Sequence, residues 1–387
     1  MRWKPTWAAA ALAVGTAVVT AAALTPAQAA ASGWRVEDTF SGRHLQDMQA
    51  IDASSASNAW VMGLVPAPEL LFVIQRWDGS RWVDVPVRLP SFAIGLSSGI
   101  YTSSPKDTWF FPLIQSPHFG EVQDAVHWDG SKWTTTTVTT DPAAVIGAAD
   151  FSASDVWAFG EKRAVVAGGY GPALVRHWNG KTWQTVSVPV GSPVTIDGVS
   201  PHDIWALGIS AATLSTSHQT MIAMRWDGTK WSGLNLPRFR PVRRGYPWVA
   251  SAVSAAGPND AWVAETPRVN IQNGYSPPGV ILLHWDGSTW HTVAKDATLQ
   301  SVGNLAPDGH GGFWLSASDP THPRSASDII DYRDGTFTSQ PAPAVRGYRG
   351  SVTGIAGVPG SATSWAWGQL NPDNGGSYQG DISRYTP

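Results

Sequence analysis

The chain has 387 residues, among them 22 Trp and no Cys, and its 29 acidic residues narrowly outnumber 26 basic ones. Without Cys there is no disulfide, no thiolate nucleophile and no Cys-based metal or redox site, and a slightly negative balance leaves no footprint for nucleic acid. Core packing must hold the protein together, and each buried Trp removes roughly 150–250 Å² from water, worth about 4–6 kcal/mol gross at ~25 cal/mol/Å².

Residues 1–30 read as a Sec-type signal peptide. Arg2 and Lys4 precede an apolar, Ala-rich run from Ala8 to Leu24, and Ala27-Gln28-Ala29 supplies a cleavage site, with no twin Arg and no lipobox Cys. No other long apolar run follows, so the expected mature protein, residues 31–387, is secreted, extracellular, a single domain and free of a membrane span.

From residue 33 onward the chain repeats. A Trp follows a Ser/Asp/Asn-rich turn at Trp60, Trp109, Trp157, Trp205, Trp262, Trp314 and Trp365, at a spacing of about fifty residues. A second series follows each of the first six: an aromatic, a Gly turn and another aromatic, starting at Trp77, Trp128, Trp178, Trp226, Trp285 and Tyr332. A period of that length with two turn signals per unit marks a solenoid or propeller.

The third unit shows how one repeat divides. Val145–Phe151 reads as a strand, residues 152–155 as a turn, Val156–Gly160 as a second strand, Leu174–Trp178 as a third and Thr182–Val188 as a fourth, across the Asn179-Gly180 turn. Asn-Gly and Asp-Gly accept φ > 0 and match the twist of hairpin strands. No helical period intervenes, so the unit is all-β, a four-stranded propeller blade.

Counting the units predicts closure. Seven copies of the first Trp accompany only six complete aromatic hairpins. The seventh third strand is 380–387, with Tyr385 at the Trp position, and Gly33-Trp34-Arg35-Val36 matches the missing fourth strand. The expected fold is a seven-bladed β-propeller of four-stranded antiparallel blades, closed by the N-terminal strand completing the last blade, which removes an open sheet edge. The long interval between Trp205 and Trp262 is an enlarged loop, not a domain boundary.

In such a ring the short, uniform turns lie on one face and the variable loops on the other, where function is usually grafted. The most unusual variable loop is residues 237–248, PRFRPVRRGYPW. Its Arg240, Arg243, Arg244, Tyr246 and Trp248 are candidates to hold a carboxylate, sulfate or phosphate and to stack on a sugar. Tyr275, Arg346, Tyr348 and Arg349 join them, since Arg346-Gly347-Tyr348 repeats the Arg-Gly-Tyr of 244–246. Arg268, Arg324, Tyr170, Tyr378 and the pair His118-Phe119 stand in other loops of this face. By contrast His127, His177 and His284, exchanged for Arg76 and Arg225 elsewhere, suit a strand position and not a metal ligand. Asp78, Asp129, Asp227 and Asp286 read as turn formers, because Asn179 replaces them freely.

No HExxH, G-x-S-x-G, P-loop or dinucleotide fingerprint is present, and no metal or cofactor is expected. The pattern SxxDVWAxG (Ser152–Gly160) followed by HWNGKTW (His177–Trp183) resembles the kelch, galactose-oxidase-like and lectin-like propeller superfold, and in particular secreted Trp-repeat propellers of high-GC bacteria. The likeness runs from Trp34 to Tyr385. It implies fold far more than activity: a galactose-oxidase Cys–Tyr cofactor has no Cys here, and the sialidase S-x-D-x-G-x-T-W box fails because Asp and Gly are adjacent. The leading expectation is a non-enzymatic, lectin-like binder of a cell-surface glycan or acidic polymer. A protein-docking role in a secreted assembly is the first alternative. A glycoside hydrolase or polysaccharide lyase is the second, needing carboxylates such as Glu69, Glu121, Glu161 and Glu265 to converge on the loop face.

Overall fold

The computed structural model describes residues 33–387 apart from 41–46, 66–70, 90–92, 117–119, 163–170, 215–219, 258, 269–275, 301 and 320–326. The leader expected at residues 1–30 lies outside these. Among the described residues no helix is long and apolar enough to cross a membrane.

Seven sheets of four antiparallel strands form the protein. In blade 3 the strands are Ala143–Ser152, Asp155–Lys162, Ala173–Trp178 and Trp183–Thr185, each hydrogen-bonded to the next. The first strands of neighbouring blades touch around the centre, and the contact of the first strand of blade 7 with that of blade 1 closes the ring. In the second strand of blade 3, five consecutive residues from Val156 to Gly160 are buried, because both of its faces meet a neighbouring blade. A seven-bladed β-propeller is the result.

The hairpin turns obey their local chemistry. Gly79, Gly130, Gly180, Gly228 and Gly287 take φ between 86° and 100°, a region closed to most side chains. Beside each, an Asx side chain captures the turn: the Asp129 Oδ1 accepts from the backbone N–H of Ser131 at 2.9 Å and of Lys132 at 2.9 Å. The Asn179 Oδ1 accepts in the same way from Lys181 and Thr182. This is why Asn substitutes without loss.

Blade 7 is completed from both chain ends. Gly33–Phe40 pairs with Gln379–Thr386, and Trp34 stands opposite Tyr385. Their ring centroids are 5.6 Å apart, and both rings close on Trp314 of blade 6, at 5.4 and 4.9 Å.

That cluster is one of a ring of seven. Each first-series Trp projects into the aromatic hairpin of the following blade. Trp157 meets Trp226 and Trp231, Trp205 meets Trp285 and Trp290, and Trp365 crosses the closure to Trp77 and Trp82. Trp262 uses Phe313 and Tyr332 in the same role. Edge-to-face and tilted contacts of this kind add about 0.5–1.5 kcal/mol each beyond the area buried.

The repeated His and Arg have a more specific task than an amphipathic strand position. His177 lies 4.3 Å over the Trp157 ring, stacked at 19°, and its Nε2 is 2.8 Å from the Asp155 Oδ1, which also accepts the Trp157 indole N–H. Asp107, Trp109 and His127 repeat the arrangement, as do Asp260, Trp262 and His284. In blade 4 the guanidinium of Arg225 sits 5.6 Å over Trp205 and donates to Asp203 at 2.7 Å. The Asp of SxxDVW thus orients the His or Arg that covers the buried ring.

Near the uniform-turn end, carboxylates staple first strands together. Asp52 of blade 1 accepts from the backbone N–H of Thr102 in blade 2, and Asp197 of blade 4 accepts from Ala255 in blade 5, both at 2.8 Å. Burial outweighs these hydrogen bonds and raises both carboxyls to about 6.

Candidate functional site

Topology places the connections between blades at the end of the ring opposite the uniform turns. One of them leaves the fourth strand of blade 4 (Trp231–Asn235) and enters the first strand of blade 5 (Trp248–Gly257) through the Arg-rich segment. Leu236 is buried in the seam between blades 4 and 5, and Phe239 packs on the same cluster, with the Lys295 Nζ 4.7 Å from its ring centroid. Between and beyond these anchors Arg238, Arg240, Arg243 and Arg244 are exposed.

The tip is a tight turn. Tyr246 N–H donates to the Arg243 carbonyl at 3.0 Å, and Gly245 takes φ 87°. The loop entering blade 7 repeats it: Tyr348 N–H donates to the Val345 carbonyl at 3.0 Å, with Gly347 at φ 84°. Arg-Gly-Tyr is therefore a structural repeat as well as a written one. The Gly supplies the left-handed position, and the preceding Arg244 or Arg346 is left at an exposed apex.

The nine candidate residues divide four ways. Arg240, Arg243, Arg244 and Arg346 are exposed, and among the described residues they form no ion pair. Tyr246 closes the first turn and is half-buried. Trp248, Tyr348 and Arg349 are held by the scaffold: the Trp248 indole donates to the Arg240 carbonyl at 3.0 Å, the Tyr348 hydroxyl accepts from Gln379 at 3.0 Å, and Arg349 lies 3.3 Å from Asp373. Tyr275 lies outside the described residues, as do Tyr170, Arg324, His118, Phe119 and Glu69. The structure joins Arg240 to Trp248 and Arg243 to Tyr246, while Arg346, Tyr348 and Arg349 belong to blade 7, with blade 6 between.

Several arginines elsewhere are engaged. Arg225 pairs with Asp203, Arg333 with Asp308 at 2.6 Å, and Arg384 covers Trp365 at 5.1 Å. The blade 5 loop instead gathers four exposed guanidinium groups in seven residues.

Of the carboxylates considered for a hydrolase, Glu121, Glu161 and Glu265 lie in strands. Glu161 ends the second strand of blade 3, where it accepts from the Ser192 hydroxyl at 3.4 Å across the seam to blade 4. Glu265 lies within the second strand of blade 5 (Asp260–Pro267) and is 4% exposed. Burial alone raises it to about 7. The side chain of Glu121 is outside the described set. Among the described residues no group of His, Asp or Glu is placed to hold a metal ion.

No protein-family model matches the chain, and no curated protein matches it. Many solved structures share its fold. The β-propeller domain of the Trilobed protease from Pyrococcus furiosus, described as having an open velcro topology, aligns with a TM-score of 0.53 at 8% identity, over 88% of this chain and 95% of that one. The polysaccharide lyase Uly1 aligns with a TM-score of 0.53 at 9% identity, over 91% and 94%. The SapL1 lectin in complex with alpha methyl fucoside gives 0.46 at 12% identity, over 76% and 95%. At these identities the alignments with the Pyrococcus domain and Uly1 show the propeller fold alone, and a fold does not fix a function.

Proposed function

We propose that the protein is a non-enzymatic binding propeller, exported by its leader, that holds an acidic glycan or acidic cell-surface polymer on its loop face. The observation that carries the reading is the set of exposed guanidinium groups at Arg238, Arg240, Arg243 and Arg244, without an ion pair among the described residues, in a chain whose formal charge is −3. Like charges this close in sequence repel one another, and an anion bound among them turns that cost into attraction. Arg presents a planar fork that meets carboxylate or sulfate with two hydrogen bonds. The second turn, at Arg346, offers a further contact in the same geometry, and two linked weak contacts to one polymer raise avidity.

Passing the purified residues 31–387 over immobilised polygalacturonate, alginate, heparin and dextran tests this. The expected result is retention on an acidic polymer at low salt, release at high salt and no retention on dextran. Retention on none of them contradicts the reading. Appearance of new reducing ends or unsaturated sugar products contradicts its non-enzymatic half. A co-purifying acidic protein in place of a polymer favours the docking alternative.

A further inference from the structure

The second strand of every blade has one position, three residues after the first-series Trp, that the fold keeps small. It is Gly63, Gly160, Gly208 and Gly368 in blades 1, 3, 4 and 7, Pro112 in blade 2 and Ala317 in blade 6. At Gly160, Gly208 and Gly368 a Cβ would run into the carbonyl oxygen of the first strand, that of Ala144, Ser192 or Ser351. In blade 5 the same position is Glu265.

The sheet is altered to receive it. Across the strand pair the small position faces Met48, Leu96, Val145, Pro193 and Val352 in blades 1, 2, 3, 4 and 7, but Glu265 faces Ala250. The order of large and small is inverted in this blade alone among those five pairs and its own. On its other side Glu265 faces Ile281. Ala250 and Ile281 both belong to the apolar seam between blades 4 and 5, so the alternation of strand residues turns Glu265 into that seam as well.

One pleat toward the loop end, on the same face, stands Pro267, opposite Trp248. The six-membered ring of Trp248 lies against Gly279 and beside Pro267, one pleat from Glu265 toward the loop end. The ring is tied by its N–H to the Arg240 carbonyl, within the Arg-rich loop. Among the described residues the Glu265 carboxyl has no hydrogen-bond or ion-pair partner. A carboxyl only 4% exposed in an apolar seam costs free energy that a small residue at the same position avoids, and such departures concentrate at functional sites.

We propose that Glu265 is the buried polar anchor of a saccharide subsite at the loop end of the seam between blades 4 and 5, its carboxyl oxygens accepting ring hydroxyls of one sugar unit. The proposal rests on the reading of the Arg-rich loop, and supplies what that loop lacks. Arg243 and Arg244 recognise charge and would hold any polyanion, whereas an acceptor in an apolar seam selects a hydroxylated ring. The loop carrying the arginines also carries the carbonyl that pins Trp248, so the charged and hydroxyl-binding parts share one element.

The test titrates a tetrasaccharide of the retained acidic polymer, and separately inorganic polyphosphate, into the parent protein, Glu265→Met, Glu265→Gln and the double variant Arg243→Ala/Arg244→Ala. Met fills the volume without the acceptor, so Glu265→Met is expected to melt at or above the parent temperature while binding the tetrasaccharide at least tenfold more weakly. Glu265→Gln keeps one oxygen acceptor and is expected to lose less. Polyphosphate, which brings charge without hydroxyls, is expected to bind parent and Glu265→Met alike. Tetrasaccharide affinity unchanged in Glu265→Met but reduced in the Arg variant overturns this proposal and leaves the loop reading standing. Both Glu265 variants melting well below the parent assigns Glu265 to the scaffold and overturns it too. A parent that binds no tetrasaccharide overturns both readings together.

Discussion

Blades 3 and 5 are built from the same four strands and the same Asp–Trp–His cluster, with His177 over Trp157 in one and His284 over Trp262 in the other. At the uniform-turn end they are nearly interchangeable. At the loop end they diverge: blade 3 keeps Gly160, while blade 5 sets Glu265 against Ala250, one pleat from Trp248 and the Arg-rich loop. Repetition within one chain therefore separates what the ring needs from what it can spare. Residues present in every blade carry stability, and those that break the pattern are free to carry recognition.

The comparison breaks first if the aromatic ring is dispensable. Trp205 is fully buried against Trp285 and Trp290. Trp205→Ala is expected to cost about 3–5 kcal/mol in denaturant unfolding, and a loss below about 1 kcal/mol would remove the aromatic clusters from their central place. Deleting Gly33–Phe40 opens the closure and strips Trp34 from Trp314 and Tyr385. A broadened or biphasic melt is expected, and an unchanged melt would show that the clasp is ornamental.

Next come the Asp residues that orient the stacked His and Arg side chains. Asp155→Ala leaves the Trp157 indole N–H and the His177 ring without their shared acceptor. A loss of about 1–3 kcal/mol is expected. The matching change in an exposed turn, Asp129→Asn, should leave stability nearly unchanged, as Asn179 already does the same work. Equal losses at the two sites would erase the distinction between them.

Acidity sharpens the comparison further. Burial raises Asp52 and Asp197 to about 6 and Glu265 and Asp381 to about 7. Each native carboxyl holds its proton where the unfolded chain has lost it, so the stability it contributes is present below about pH 4 and is lost as pH rises through 6 to 7. The turn residues Asp129 and Asp227 have the opposite sign: their hydrogen bonds with Ser131 or Thr229 lower them to about 2, and their contribution vanishes only as pH falls toward that value. Melting temperature is expected to be several degrees higher near pH 5 than near pH 8. Asp52→Asn should flatten part of that slope, and a protein equally stable at both values would contradict the assignment.

Much of this was legible because it depends on local chemistry repeated at one period. Seven Trp in turn contexts, Asn-Gly and Asp-Gly hairpins, and Tyr385 waiting for Trp34 are enough to draw the closed ring. The Asp155–His177 pairing was not legible, since it requires the register between strands about twenty residues apart. A signal existed nonetheless: where Asp stands two residues before the first Trp, His or Arg precedes the second series. Glu265 was visible as a residue but read as belonging in or beside a loop. Aligning WVAE of blade 5 with WAFG, WALG and WAWG would have placed it inside the strand, at the position the fold reserves for Gly. Trp248 and Tyr348 stood out as aromatic, but nothing in the sequence shows that an indole N–H and a phenol are already committed to Arg240 and Gln379.

The smallest expected effect on stability accompanies the most direct test. Arg243→Ala/Arg244→Ala should melt with the parent, because both side chains are exposed and unpaired among the described residues. Its affinity for the retained acidic polymer, measured by titration at low salt beside a melting curve on the same sample, should fall at least tenfold with no change in melting temperature. Undiminished affinity, or a fall in affinity that only tracks a fall in melting temperature, would contradict the claim that recognition resides where the repeat is broken.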